Sequence, residues 1–211
     1  MRWAGADLVE ADLSGLDLQR SDLRGADLTR ANLGGANLQS ALLSEATVDS
    51  ANLVKANLTD AVCQNATFRG ARLNDANLRY SKLQNCDFTG ADLSGTDLTM
   101  TDLRCNLNDA NLQKSDLRGA DLTGASLTNL NLANANLTGT TLAGADLWGA
   151  DLTSADLAGA DLAEAQLAFV ILTGAKLASA TLSNTNMLNT HLDAADLYGV
   201  NLADALYLST T

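Results

Sequence analysis

The sequence predicts an all-β fold of the parallel β-solenoid type, and three observations support this prediction. An apolar residue, usually leucine, recurs at every fifth position along nearly all of the 211 residues. Glycine or asparagine collects two positions after it, where a tight corner often needs a positive φ. Proline is absent from the chain, so every backbone N–H can donate to a neighbouring coil.

The recurring apolar residue defines a five-residue unit, and we call it the centre of that unit. Centres fall at Leu8 and every fifth residue to Leu103, and then at Leu107 and every fifth residue to Leu202. Twenty centres precede this break and twenty follow it, and all of them are apolar. The centres that are not leucine are Val48, Cys63, Phe68, Phe88 and Met187.

A period of five excludes the ordinary secondary structures as a way to bury every centre. In an α-helix, five residues advance about 500°, so the centres would spiral around all sides. In a straight strand, five is an odd number, so successive centres would point to opposite faces. The chain must instead turn once per unit, which directs every centre to one axis and stacks each coil on the next.

The other positions of the unit agree with a chain that turns. Two positions before the centre the residue is small and mostly alanine, as at Ala6, which predicts a second inward position. One position before the centre Asp or Asn dominates, as at Asp7 and Asn32, and such side chains bond nearby backbone groups. All sixteen glycines except Gly34 lie two positions after a centre, if Trp3 is counted as the first.

Repeated Ala-(Asp/Asn)-Leu-x-x units, as in residues 145–164, resemble the pentapeptide repeat family, and the resemblance covers essentially residues 1–208. It implies a right-handed quadrilateral β-helix with four pentapeptides per coil. We therefore expect about ten coils, which form a rod of roughly 48 Å at about 4.8 Å per coil. Phe68 and Phe88, twenty residues apart, would stack directly in such coils.

We expect residues 1–211 to form a single solenoid domain whose register breaks once, in residues 103–107. The spacing from Leu103 to Leu107 is four residues instead of five. We interpret the missing residue as a shortened surface corner without a domain boundary, because the pattern resumes at once. A bend or a changed twist of the rod is the alternative.

The three cysteines are predicted to be buried, reduced thiols. Cys63 is a centre, while Cys86 and Cys105 occupy the small inward position. Coils of four units would place Cys86 and Cys105 in one column, with Cα atoms about 4.8 Å apart, a distance that a disulfide accepts. Their side chains would point in the same direction, however, and this favours free thiols.

The charge is negative and uneven. The net charge is −12, and residues 119–211 contain nine acidic side chains but only one basic residue, Lys176. This balance disfavours direct binding of nucleic acid, which needs Lys and Arg to neutralise phosphates, and it permits a basic protein partner. The N-terminus shows no leader and no apolar run is long enough for a membrane span, so we expect a cytoplasmic protein.

No catalytic, cofactor or metal site is predicted. The single histidine, His191, lies one position before a centre and therefore faces outward, and no second histidine or catalytic triad accompanies it. Four-unit coils place Asp97, Asp116 and Asp156 in one column, which could hold a cation. Because acidic residues recur there in most units, we interpret the column as part of the corners and predict no metal. The column that contains Asn57 is interpreted as a stacked amide ladder.

A group of outward apolar residues in the acidic half is the candidate interaction surface. One column of four-unit coils contains Trp148 and Leu188, two further residues lie beside it, and one lies on another face. Contiguous apolar patches often mark interfaces, while incidental exposure is the alternative interpretation. The five candidate residues are Trp148, Phe169, Ile171, Leu188 and Tyr198.

Two functional hypotheses follow. The first is a non-catalytic solenoid that acts as a rigid protein-interaction or structural module, and its protein partner is unidentified. A homodimer through the C-terminal coils is a further hypothesis. The alternative to the homodimer is that Trp3 and Tyr207 each cover one end of the solenoid. The alternative comes from the resemblance, because some pentapeptide repeat proteins are similar to B-form DNA and occupy DNA gyrase in its place. A net charge of −12 falls short of the roughly 28 charges that about 48 Å of duplex carries.

Overall fold

The chain forms a parallel β-solenoid. The computed structural model describes residues 2–203 and 205–209, with side chains at 2–203 and 205. Nearly every unit contributes one parallel bridge to the next coil, and the bridged residues are usually twenty positions apart, as in Asp7 with Asp27 and Asn32 with Asn52. Four units therefore separate bridged residues, as the interpretation of the repeat requires.

Two bridged segments near the C-terminus are long enough to be strands. Strand β1 spans Asn186–Leu188 and strand β2 spans Leu206–Ser209, and the two pair in parallel. Asn186 lies opposite Leu206, and the register shifts by one residue before Leu188 meets Ser209. Elsewhere in the described chain the bridges are isolated because a corner follows each of them.

The centres and the small inward residues form one continuous core. Most centres, such as Leu28 and Leu112, are fully buried, and so are most of the alanines. Each buried leucine contributes about 1.5–3 kcal/mol before the entropy of ordering the chain is counted. The rings of Phe68 and Phe88 stack with centroids 4.7 Å apart and planes 9° apart, which confirms the stacking predicted from their spacing.

The corners adopt the left-handed backbone region. At nearly every described position two after a centre, φ lies between 55° and 73°. Fifteen glycines fill such positions, and Gly34, which lies elsewhere in its unit, has no positive φ. Twenty-four residues other than glycine also adopt this conformation, among them Tyr80, Met100 and Phe169. The geometry of the repeat therefore imposes the left-handed corner whichever residue occupies it.

The Asp and Asn residues before the centres bond the corners and one another. Asp7 Oδ1 accepts the backbone N–H of Val9 at 3.2 Å, and this contact to the second residue along recurs in many units. Asn57 donates its side-chain N–H to Asn37 Oδ1 at 3.1 Å, which confirms the predicted amide contact between these two coils. The polar column predicted for Asp97, with Asp116 next to it, also forms a continuous set of bridges.

The shortened unit leaves the ladder of bridges unbroken. Asp87 bridges Asn106 at a separation of nineteen residues, and Asn106 bridges Ser126 at a separation of twenty again. Neither Arg104 nor Cys105 has a positive φ, so the missing residue is the left-handed corner itself. Bridges continue on both sides of this corner.

Candidate interaction surface

An apolar strip lies on the surface in the acidic half, and we define it by Trp148, Phe169, Ile171 and Leu188. The rings of Trp148 and Phe169 meet edge to face with centroids 5.8 Å apart. They nevertheless remain 48% and 46% exposed, and Ile171 and Leu188 are exposed as well. The strip therefore leaves the faces of an aromatic pair available to a second molecule.

The ladder fixes the positions of these side chains. Phe169 N–H donates to the carbonyl of Leu188 at 2.9 Å, which places these residues in adjacent coils. Ile171 bridges Asp151 in the coil before it and His191 in the coil after it. Ala168 lies in the column between Trp148 and Leu188 and is buried, so the two large side chains stand on either side of a small one.

Tyr198 does not join the strip. Its carbonyl accepts from Ser179 N–H at 2.9 Å, in a different column of the ladder. At 80% exposure it has the most accessible large apolar side chain among the described residues. The five candidate residues therefore form one group of four and one separate residue.

Phe169 occupies a corner with an unfavourable backbone conformation. Its φ is 62°, in the region that costs a bulky residue about 1–2 kcal/mol. Because its ring is half exposed, burial in the core does not offset this cost. The same conformation recurs at the corners of many other units, so at Phe169 it is a feature of the repeat and not of the strip.

Large apolar residues at left-handed corners also form a second exposed pair, which the sequence analysis missed. Tyr80 and Met100 both have φ of 58° at corner positions, and both are exposed. The guanidinium of Arg79 lies 5.4 Å from the centroid of the Tyr80 ring. A search of the glycine-rich position of each unit for large apolar residues would have found this pair.

The charges around the strip are acidic. Asp146 lies in the same unit as Trp148 and accepts its backbone N–H at 3.1 Å. Lys176, the one basic residue after position 118, lies 3.4 Å from Asp156. This exposed pair adds little stability, but it leaves the acidic half without an unpaired cation.

The cysteines are free and buried, as predicted. Cys86 Sγ donates to the carbonyl of Cys63 at 2.9 Å. Burial raises the pKa of Cys86 to about 12 and raises the pKa of Cys63 and Cys105 well above the ordinary value. All three thiols therefore keep their protons at neutral pH and are poor nucleophiles.

His191 is exposed on the outside of the solenoid. Within residues 2–203 and 205–209, no group of three His, Cys, Asp or Glu side chains is arranged to hold a metal ion. A helix long and apolar enough to cross a membrane is likewise absent from this part of the chain.

Comparison with known families identifies the repeat. The family model described as pentapeptide repeats (8 copies) matches nearly the whole chain. The matched residues are 6–44, 36–75, 71–104, 105–142, 131–167, 142–177 and 171–206. A sequence search of curated proteins found no match.

Three solved structures illustrate the range of similar proteins. HetL is a pentapeptide repeat protein involved in heterocyst differentiation regulation from the cyanobacterium Nostoc sp. strain PCC 7120. It is 29% identical to this chain, the match covers 94% of this chain and 90% of HetL, and the TM-score is 0.58. Rfr23, from the cyanobacterium Cyanothece 51142, is 34% identical over 53% of this chain and 63% of its own, with a TM-score of 0.28. QnrB1, a plasmid-mediated fluoroquinolone resistance protein, is 16% identical over 95% of this chain and 89% of its own, with a TM-score of 0.35.

Proposed function

The chain belongs to the pentapeptide repeat family, and from this membership we propose that it is a rigid, non-catalytic interaction module that binds a protein partner. The observation that carries the proposal is the exposed edge-to-face pair of Trp148 and Phe169. HetL is described as involved in heterocyst differentiation regulation, and a binding module is one way to take part in regulation.

The proposal includes the shape and the location of the protein. The rod is a right-handed, four-sided coil of about ten turns. Residues 1–211 form one domain, which continues across the register break in residues 103–107. The protein acts in the cytoplasm. Bridges at separations of nineteen and twenty residues support a continuous rod. A continuous ladder holds the strip rigid, so that little conformational entropy is lost on binding.

The partner surface that suits the strip is apolar with basic residues around it. Trp148 and Phe169 provide the large aromatic area that dominates many interfaces. Nine acidic residues against Lys176 after position 118 attract a basic partner and repel an acidic one. The proposal therefore excludes nucleic acid as a direct ligand.

The experiment compares partner capture by the wild-type chain and by a Trp148→Ala, Leu188→Asp variant. Immobilised wild-type protein should retain a specific protein from native cell extract, and the variant should bind that protein about thirtyfold more weakly, as expected for the loss of a hot spot. Met100→Ala is the matched control, because Met100 is 57% exposed outside the strip. Equal affinity of the double variant and the wild type, with unchanged thermal unfolding, would remove the strip from the proposal.

Self-association is a separate part of the proposal. The side chains of strand β2, including Tyr207, lie outside the described residues, so a homodimer through the C-terminal coils rests on the sequence alone. Sedimentation equilibrium tests it. A mass that rises from monomer to dimer with concentration supports the homodimer, and a constant monomer mass rejects it.

A second candidate function is mimicry of DNA toward DNA gyrase. The observation that favours it is the acidic half, whose only cation is paired with Asp156. The charge deficit relative to duplex DNA argues against it. Addition of the protein to a gyrase supercoiling assay separates the two candidates, because only the mimic should alter supercoiling.

A further inference from the structure

A carboxylate of the acidic half lies directly beside the apolar strip. Asp146 Oδ1 accepts the backbone N–H of Trp148 at 3.1 Å, which holds the carboxylate next to the start of the indole side chain. Asp146 is partly exposed, and no side chain of the described residues donates to it. Its second oxygen, Oδ2, is therefore available to a donor from another molecule.

The chain itself shows what an aspartate at this position of the unit binds when a cation is present. In three units an arginine lies two positions after the aspartate and places its guanidinium on both carboxylate oxygens. Arg24 Nε lies 2.8 Å from Asp22 Oδ1, and Arg24 Nη2 lies 2.8 Å from Asp22 Oδ2. The other two pairs are Arg104 with Asp102 and Arg118 with Asp116. In the unit of Asp146 the position of the arginine is occupied by Trp148, so this carboxylate lacks a guanidinium.

A second contact within the chain shows how an outward aromatic ring binds a cation. The guanidinium of Arg79 lies 5.4 Å from the centroid of the Tyr80 ring, within the range of a cation–π contact. Phe169 occupies the same corner position as Tyr80, but the residue before it is Ala168. Lys176, the one basic residue after position 118, is paired with an aspartate of another column. In the described part of the chain, no cation contacts the aromatic pair of the strip.

The residues around Trp148 leave the indole accessible. Thr128 lies before it in the column and Ala168 lies after it, and both side chains are small. Asn129 Oδ1 lies 2.8 Å from the point that a Cβ of Gly149 would occupy, so a neutral acceptor borders the indole on that side. A planar cation can therefore reach the ring and find oxygen acceptors at its edge.

We propose that Asp146, Trp148 and Phe169 bind the guanidinium of one arginine of the protein partner. The plane of this group stacks on an exposed aromatic face of the strip, and its N–H groups donate to Asp146 Oδ2. Arginine suits the site better than lysine, because it combines a planar face with several donors in a fixed fork. This inference rests on the proposed function and adds the chemical group that the partner contributes.

Titration with N-acetylarginine N-methylamide, followed by ¹⁵N–¹H NMR, tests the site without a partner. The chain has two tryptophans, so the indole N–H of Trp148 reports on the site and that of Trp3 is an internal control. The Trp148 signal should shift saturably, and the Trp3 signal should stay in place. The citrulline analogue has nearly the same shape without the charge and should give no saturable shift. The lysine analogue should bind more weakly than the arginine probe.

Two aspartate variants separate a specific contact from the general charge of the acidic half. Asp146→Asn removes the charge and keeps an oxygen for the corner, since Asn57 Oδ1 accepts the N–H of Thr59 at 3.1 Å in the same way. It should weaken binding of the arginine probe about tenfold, as expected for the loss of a charged hydrogen bond. Asp161→Asn is the matched control, because it changes the net charge equally in another column and should leave the affinity unchanged.

Shifts that rise linearly with the arginine probe, a citrulline or lysine probe that binds as tightly, or equal weakening by both variants would overturn the proposal. The proposed function is tested separately. Capture of a protein from extract that depends on Trp148 but not on Asp146 would keep the interaction module and reject only the arginine contact.

Discussion

Individual side chains in this protein are selected mainly by their position within a five-residue unit. Leucine fills the axis, alanine lets the chain pass close to it, and Asp or Asn ties the corner through contacts such as that of Asp7 with Val9. Inward polar residues bond locally, as when Thr185 Oγ1 donates to the carbonyl of Leu182 at 2.8 Å. Each position therefore has its own physical requirement, which explains why so few residue types dominate the sequence.

Position in the unit also explains which features the sequence could predict. Phe68 and Phe88 were predictable as a stack because a period of twenty residues aligns them, and their rings do stack. Tyr80 and Met100 were missed because they occupy corners, where the pattern led us to expect glycine or asparagine. The edge-to-face geometry of Trp148 with Phe169 depends on side-chain rotamers, which periodicity does not determine.

The buried thiols predict a specific loss of stability at high pH. The folded chain holds the Cys86 proton to about pH 12, while an unfolded thiol loses it near pH 9.0, so the folded state binds more protons between these values. The free energy of unfolding should therefore fall as pH rises through this window, by up to about 1.4 kcal/mol per pH unit for each thiol.

Urea unfolding at several pH values between 8 and 11 measures this loss. Cys86→Ala, which places the usual residue at this position, should make the decline with pH shallower. Thr185→Ala is the matched control, because it removes an inward hydroxyl that does not titrate and should lower stability equally at every pH. An unchanged pH dependence for Cys86→Ala would show that this thiol does not titrate differently in the two states.

Coils are the structural elements of this molecule, and backbone hydrogen bonds between them replace long strands. Asp161 illustrates the arrangement, because its N–H donates to the carbonyl of Thr140 at 2.9 Å and its Oδ1 accepts from Ala163 N–H at 3.1 Å. The first contact joins two coils, and the second holds a corner. The sequence contains no proline, which agrees with a ladder in which backbone N–H groups donate from one coil to the next.

A pair of substitutions at Asp161 separates these two contacts. Asp161→Ala removes only the side-chain acceptor, whereas Asp161→Pro also removes the N–H and leaves the Thr140 carbonyl without its donor. The proline variant should therefore lose about 1–3 kcal/mol more unfolding free energy than the alanine variant. Chemical denaturation measures the difference, and equal losses would show that the ladder bond contributes nothing there.

The shortened coil shows where prediction from the sequence ends. The spacing of Leu103 and Leu107 locates the missing residue, but it does not say whether the coils above and below would separate or remain paired. The structure keeps the bridges of Asp87 and Asp102 and places the vacant space at the surface. This outcome depends on how a nineteen-residue coil relaxes between two twenty-residue coils, which no local pattern encodes.

At the scale of the whole molecule, charge is distributed unevenly along the rod. The half after residue 118 has nine acidic residues and Lys176, and it also contains the apolar strip. The half before it has most of the ion pairs, such as Arg24 with Asp22 and Arg118 with Asp116. A rigid rod with this asymmetry would orient a basic partner toward the strip before contact.

A single solenoid axis requires a constant advance per coil, and pairs of spin labels on one column measure this advance most directly. Gln39, Thr138, Ala158 and Ala178 lie in a single column of the ladder, in which Gly139 N–H donates to the carbonyl of Ala158 and Gly159 N–H donates to that of Ala178. Because the native thiols are buried, labels will attach to cysteines introduced at these positions. With one label at position 39 and the second at 138, 158 or 178, the solenoid predicts distances of about 24, 29 and 34 Å, in equal steps of about 4.8 Å across the shortened corner. Unequal steps, or a distance that does not grow with each coil, would contradict a single shared axis.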